Sequence, residues 1–310
     1  MVADLFSPNT APTFSGHETF ALRSNWLKKA YDLLLLKPDL FYLDNAFVLL
    51  GVGKNMANSI RFWGRVCGVF DRDPLSNTHI PTALGRALLD DDGWDPFLVT
   101  PASRWLLHWQ ITARPEAAFT WFYTFNLLKG GEFTVTQLAR QIRGLATEQG
   151  WRVPSESTIT RDIECMLNCY NRPTRQITAP VEDLLFCPLL DLGLIQSLPG
   201  QNMYRLQVGR HRDLSDSLVA FAVFESMRLS GRQTIAFSEL AYAPRSPGRV
   251  FRLDEDALLS RLLHIQEVTE GRAYYTDQAG IRQVAWTNLD DTTTRDFLLR
   301  KAFANEVRYV

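Results

Sequence analysis

Four cysteines in 310 residues, at positions 67, 165, 169 and 187, are too few and too scattered for a disulfide scaffold. Nothing apolar approaches the ~20 residues of a membrane-spanning helix. The leucine run 33–36 is bracketed by Asp32 and Lys37. The opening MVADLFSPNTAPTF has neither a basic n-region nor an apolar h-region, so a cytoplasmic protein is expected. Charge of one sign is also missing: 33 Lys and Arg face 34 Asp and Glu, for a net charge of −1. A nucleic-acid surface would therefore be a local patch offset by acidic regions elsewhere. The chain lacks GxxxxGK[ST], a GxGxxG after a strand and a GxSxG elbow, and GVGKN at 51–55 is too short for a phosphate loop. An ATPase or a dehydrogenase is disfavoured.

What is there is an ordinary globular composition, 46% hydrophobic and 22% charged. The periodicities predict a mainly α protein with small β hairpins. Its plan is tandem winged helix-turn-helix-like modules around a central, aromatic-rich helical core. Residues 1–99 read as an N-terminal winged-helix-like DNA-binding domain, in the order helix, helix, turn, helix and strand–loop–strand. Its second helix is expected over 43–50. Residues 100–213 hold the aromatic segment, with helices expected in PASRWLLHWQI and PEAAFTWFYTFNLL, and a second round in which Ser155 caps a helix. Residues 214–310 form a third round, with SPGRVFRL read as turn plus strand and DEDALLSRLLHI as a helix. That helix is acidic where it should meet phosphate, so the third round reads as scaffold or protein interface.

The helix after Gly53 separates into two faces on a period of 3.6. Met56, Ile60, Trp63 and Cys67 share one face; Lys54, Asn58, Arg61 and Arg65 share the other, with Asn55 beside them. Arg, Lys and Asn suit phosphates and purine edges, and the same face would also suit a solvated amphipathic helix. Arg161 on the second-round helix, with Arg152, Arg172 and Arg175 nearby, could face nucleic acid as well; Asp162 and Glu164 weaken that case. The stretch 15-SGHETFALRSNWLKK-29 concentrates His17, Glu18, Arg23, Lys28 and Lys29. Phosphodiester cleavage needs a base or metal ligand, for which His17 and Glu18 are candidates, and cations for the phosphate, for which Arg23 and the lysines are. No second acidic ligand of recognisable spacing follows, and a turn that caps the first helix accounts for the same residues. The cysteines pack as small hydrophobes and His108 reads as a satisfied buried histidine.

FSGHETFALRSNWLKKAYD, LGVGKNMANSIRFW, WLLHWQ, STITRDIECMLNCY and CPLLDLGLI resemble, in order, the motifs of a bacterial family of unknown function numbered 4007. The resemblance is strongest from Phe14 to past Ile195. Ala21 stands where proline often follows the GHETF word. The family is associated with phage-defence clusters that place sulfur on the DNA backbone, and it includes a DNA-nicking component of such systems. The resemblance implies a DNA-binding, DNA-nicking component of a phosphorothioate-modification system. The implied partners are DNA, a cysteine desulfurase and a PAPS-reductase-like sulfur-transfer enzyme, with a homodimer and a divalent metal such as Mg2+ for nicking left open. It assigns no catalytic residues. A non-enzymatic adaptor that docks the sulfur-transfer enzymes, or a winged-helix transcriptional regulator, fits the same sequence.

Overall fold

Hydrophobic periodicity and well-placed caps produce a mainly α chain with three small antiparallel sheets among its described residues. The structure, a computed structural model, describes Phe6 and residues 12–171 and 187–304. Arg172 and Arg175 lie outside the described residues.

The first unit runs α1 (Ser24–Leu36), α2 (Ala46–Leu49), α3 (Lys54–Val66), the hairpin β1 (Phe70–Arg72) and β2 (His79–Pro81), and α4 (Ala83–Leu89). Phe70 pairs with Pro81 across the hairpin. The helix expected over 43–50 is shorter, and a 3-10 turn at Leu40–Tyr42 precedes it. In α3 the expected stripe is inside: Ile60, Trp63 and Cys67 are fully buried, and Trp63 Nε1 donates to the Phe20 carbonyl at 3.0 Å. Met56 is half-buried.

The middle is built on α5 (Pro101–Thr112), which is buried nearly all round and so lies inside the molecule. Thr100 caps it by accepting from Ser103 N. The single helix expected in PEAAFTWFYTFNLL does not form. A short α6 (Phe119–Phe122) passes into a π turn over Tyr123–Leu127. Asn126 Nδ2 donates to the carbonyls of Phe122 and Thr112, and Thr124 Oγ to that of Thr120, so side chains compete with the regular helical ladder. Next come β3 (Glu132–Phe133), α7 (Val135–Glu148), α8 (Glu156–Tyr170), β4 (Ile195–Ser197) and β5 (Tyr204–Leu206), with sheet order β3-β5-β4. A Thr134/Gln137 capping box starts α7, and Ser155 caps α8 as the sequence predicts.

The last unit contains α9 (Asp216–Ser230), β6 (Thr234–Ala236), α10 (Phe237–Tyr242), α11 (Pro247–Val250), α12 (Glu255–Leu263), α13 (Ile265–Val268), β7 (Ala273–Gln278), β8 (Ile281–Trp286) and α14 (Thr294–Ala304). The strand expected in SPGRVFRL is a helical turn instead. Ser246 Oγ accepts from Arg249 N and Pro247 occupies the first turn, both helix-starting features. Buried residues of all three units belong to one hydrophobic cluster, from Phe6 through Trp105 and Phe221 to Phe303.

Candidate functional site

The SGHETF turn sits where α3, α6 and α8 meet. Ser15, Glu18 and Thr19 all take left-handed backbone angles, φ 62°, 49° and 68°, which L-residues adopt at a cost. Gly16 is required by close approach: a Cβ there would lie 2.5 Å from the Phe62 ring. His17 is buried, 1% exposed, with its ring against Phe62, Trp63 and Trp121. Its Nδ1 accepts the Thr19 N–H at 3.0 Å, so the proton belongs on Nε2, which donates to Asp162 Oδ1 at 2.6 Å. Asp162 also accepts the Ser15 N–H at 2.7 Å and the Thr120 hydroxyl. Its carboxylate, read from sequence as a weakness of an α8 phosphate face, instead points inward at 1% exposure.

The turn presents Glu18 to solvent while His17 is engaged at both nitrogens. Arg23 is half-buried, its guanidinium 5.0 Å from the centre of the Trp26 ring. The two lysines of α1 diverge. Lys28 is bound by Asp32 at 2.7 Å and Asp91 at 2.8 Å, and these bonds raise its pKa against the opposing effect of burial, the largest single influence. Lys29 is exposed and reaches the Leu50 carbonyl at 3.3 Å, at the approach to α3.

On α3, Lys54, Asn55 and Arg65 are exposed, and Asn58 and Arg61 are half-buried. Arg65 Nε lies 3.2 Å from Asp71 on the hairpin. Arg114, from beyond α5, closes the C-terminal end of α3 by donating to the carbonyls of Arg65 and Val66. A cavity of about 230 Å³ beside it is lined by Phe62, Arg65, Asp71, Arg114 and Glu116 among others. The positive field registers on His79, which is buried at the hairpin: burial first, then Arg65 and Arg61, push its pKa down to about 4. On α8, Arg161 is exposed and its Nε donates to the Ser157 carbonyl at 3.2 Å.

Sequence reasoning placed His17, Glu18 and Arg23 together but missed the partners of His17. Asp162 and Thr120 lie 145 and 42 positions away from His17 and Asp162 respectively, and no local spacing announces them. Among the described residues no three His, Cys, Asp or Glu side chains converge, so they form no protein-only cage for a divalent cation. His108 is satisfied at both nitrogens, by the Tyr170 hydroxyl at 2.8 Å and the Val250 carbonyl at 2.7 Å. All four cysteines are free and buried, and burial raises their thiol pKa values. No described helix is long and apolar enough to cross a membrane.

A family model described as "Protein of unknown function (DUF4007)" matches residues 14–303, and the chain belongs to that family. Its particular likeness is to SspB. A solved structure described as "SspB crystal structure" superposes with a TM-score of 0.84 at 30% identity, covering 96% of this chain and 89% of that one. A second, "Magnesium ion-bound SspB crystal structure", gives a TM-score of 0.81 at 28% identity, covering 96% and 97%. No curated protein sequence matches the chain significantly.

Proposed function

We propose that this protein is a DNA-binding, DNA-nicking component of a phosphorothioate-modification phage-defence system. The observation that carries the reading is the position of the SGHETF turn. It is packed on α3 through Gly16 and His17 and tied to α8 through Asp162. Each of those helices exposes cations, Lys54 and Arg65 on one and Arg161 on the other. Each helix also precedes a small hairpin, in keeping with the winged-helix reading of residues 1–99 and 100–213. Lys29, Lys54, Asn55, Asn58, Arg61, Arg65 and Arg161 are the proposed DNA contacts; Lys28 joins them only by exchanging its aspartate partners for phosphate.

In the proposed reaction Glu18 takes a proton from water as its oxygen bonds to phosphorus. The opposite P–O bond breaks, its departing oxygen takes a proton from solvent water to leave as a hydroxyl, and Arg23 neutralises the charge developing on the phosphate. His17 is a positioning residue: with Asp162 it fixes the strained turn that presents Glu18. The partners on this reading are DNA, a cysteine desulfurase and a PAPS-reductase-like enzyme, with a second copy of the chain. The family resemblance and the likeness to SspB support the assignment.

The test is conversion of supercoiled plasmid to open circles, with Mg2+ and with chelator. Glu18→Gln should nick roughly a hundred- to ten-thousand-fold more slowly while melting and DNA affinity stay near the parent's. Parallel loss of melting temperature, binding and nicking would reduce Glu18 to a structural residue. A parent protein that binds DNA and never nicks it would leave the second reading, a non-enzymatic adaptor. The burial of His17 is the observation that favours it.

A further inference from the structure

The turn between α10 and α12 carries Arg245, Arg249 and Arg252 within eight residues. Arg252 is only 7% exposed and its backbone is left-handed, φ 53°. Its carbonyl is held from a separate segment, by the Gly209 N–H at 3.0 Å and His211 Nε2 at 3.3 Å. The backbone is thus pinned, yet among the described residues the guanidinium has no carboxylate, carbonyl or aromatic face to receive it, and its buried Nε has no hydrogen-bond partner. Arg249 is half-buried on the same turn; its Nη2 makes one long contact, 3.4 Å to the Leu128 carbonyl, and its Nε is also buried without a partner.

Other inward-facing arginines show how the fold treats such a charge. Arg261 is held by Asp216 at 2.7 Å and by the carbonyls of Leu214, Arg210 and His211. Arg114 is held by three carbonyls at the end of α3 and α5. A buried donor left unpaired costs desolvation free energy; the Nε atoms of both Arg249 and Arg252 are in that state on one turn, while the terminal nitrogens of Arg252 reach solvent. Burial and the neighbouring Arg249 charge lower the Arg252 pKa to about 10, so the guanidinium remains charged at neutral pH.

We infer that Arg249 and Arg252 form a binding site for an oxyanion of the phosphate class. Two planar guanidinium groups, with donors in excess and no ion pair to a carboxylate among the described residues, match an acceptor that carries several charged oxygens. The site gives the C-terminal unit a role that its acidic helix α12, with Glu255 and Asp256 exposed in the first turn, does not suggest. The phosphate comes either from the DNA backbone, which rests on the function proposed above, or from a free phosphate compound, which does not.

The experiment is thermal melting of the full chain in inorganic phosphate against chloride at matched ionic strength, for the parent, Arg252→Met and Arg249→Gln. The parent should melt higher in phosphate, Arg249→Gln should lose most of that gain and Arg252→Met all of it. Without phosphate, Arg252→Met should melt at or above the parent, because a buried, unpartnered Nε has been removed. A DNA-binding arm assigns the source: for a backbone phosphate, Arg252→Met lowers the salt slope of DNA binding by about one unit, and phosphate competes with DNA. For a free phosphate compound, the phosphate gain persists and DNA binding is the same in parent and variant. Equal phosphate gains in parent and both variants, no gain in the parent, or an Arg252→Met protein that melts well below the parent without phosphate, would each overturn the site.

Discussion

Replacing Asp162 tests whether the SGHETF turn is held from α8. Three donors converge on this carboxylate: the Ser15 N–H at 2.7 Å, His17 Nε2 at 2.6 Å and the Thr120 hydroxyl. Both Asp162 and His17 are 1% exposed, so water does not replace a lost partner without rearrangement. Hydrogen bonds to a charged group contribute about 1.5–3 kcal/mol each, and orphaned buried donors cost a similar amount. These terms overlap, so the expected loss for Asp162→Ala is about 3–5 kcal/mol, the range for breaking a buried pair from one side. Asp162→Asn keeps one acceptor oxygen and should lose roughly half as much. Urea titration followed by tryptophan fluorescence suits the question, because Trp63 and Trp121 lie 6.4 and 5.7 Å from the His17 ring. His17→Ala in the Asp162→Ala background should cost at least ~1 kcal/mol less than alone, as contacting residues do in a double-mutant cycle. An Asp162→Ala protein within ~1 kcal/mol of the parent would refute the reasoning.

Three further outcomes follow from the geometry. Trp63→Ala removes a fully buried indole and its bond to the Phe20 carbonyl, and chemical denaturation should show a loss of about 3–5 kcal/mol; a parent-like midpoint would contradict it. Arg61→Ala with Arg65→Ala should flatten the salt dependence of DNA affinity by about one or two units at unchanged fold, and an unchanged slope would remove α3 from the interface. His108 is held neutral by burial, its pKa pushed down to about 3 in the folded protein, against about 6.5 when unfolded. Its neutral form therefore supports folding fully above pH 6.5, and that support is lost as pH falls from 6.5 toward 3. The loss should reach about 2 kcal/mol at pH 5. Denaturation across this range should show a shallower dependence, by about one proton, in His108→Gln; identical slopes would place the titration elsewhere.

The elements with a local signature were legible in the sequence. The α3 faces follow from spacing alone, and Ile60, Trp63 and Cys67 are buried as that spacing demands. The Ser155 cap of α8 likewise rests on residues a few positions apart. Where a distant partner decides, the reading failed. Asn126 distorts its helix by bonding to Thr112 fourteen residues away, and that bond has no periodic trace. SPGRV looks like a turn into a strand, yet Ser246 and Pro247 are as well suited to start a helix, and packing of α11 on α10 settles it. Composition showed that a basic surface would have to be local; it did not show that Asp162, an apparent obstacle to phosphate on α8, faces the core.

That reversal bears on how the site can work. A carboxylate exposed on α8 would repel DNA and compete with phosphate for Arg161. Buried, the Asp162 charge is directed at His17 and Ser15, so of the two acidic residues that weaken the α8 face only Glu164 is exposed alongside Arg161. The arrangement also explains why a strained turn persists. Three left-handed residues within five positions cost on the order of 1–3 kcal/mol each. Opposing that cost are the three hydrogen bonds to Asp162 and the packing of Gly16 on Phe62. The turn is therefore a constrained mount rather than a loose loop, and it fixes where the backbone of its outer corner stands. Glu18 occupies that corner. Its backbone φ of 49° means that Glu18→Gly should relieve local strain while removing the carboxylate. The turn does not cap α1, whose N-cap is Arg23 without a side-chain cap bond; if it served only to brace α3 against α8, Glu18→Gly would be neutral or stabilising and harmless to nicking. If it presents a catalytic base, the same substitution keeps or raises the melting temperature and slows nicking as strongly as Glu18→Gln does, an opposition of stability and activity that a structural role does not produce.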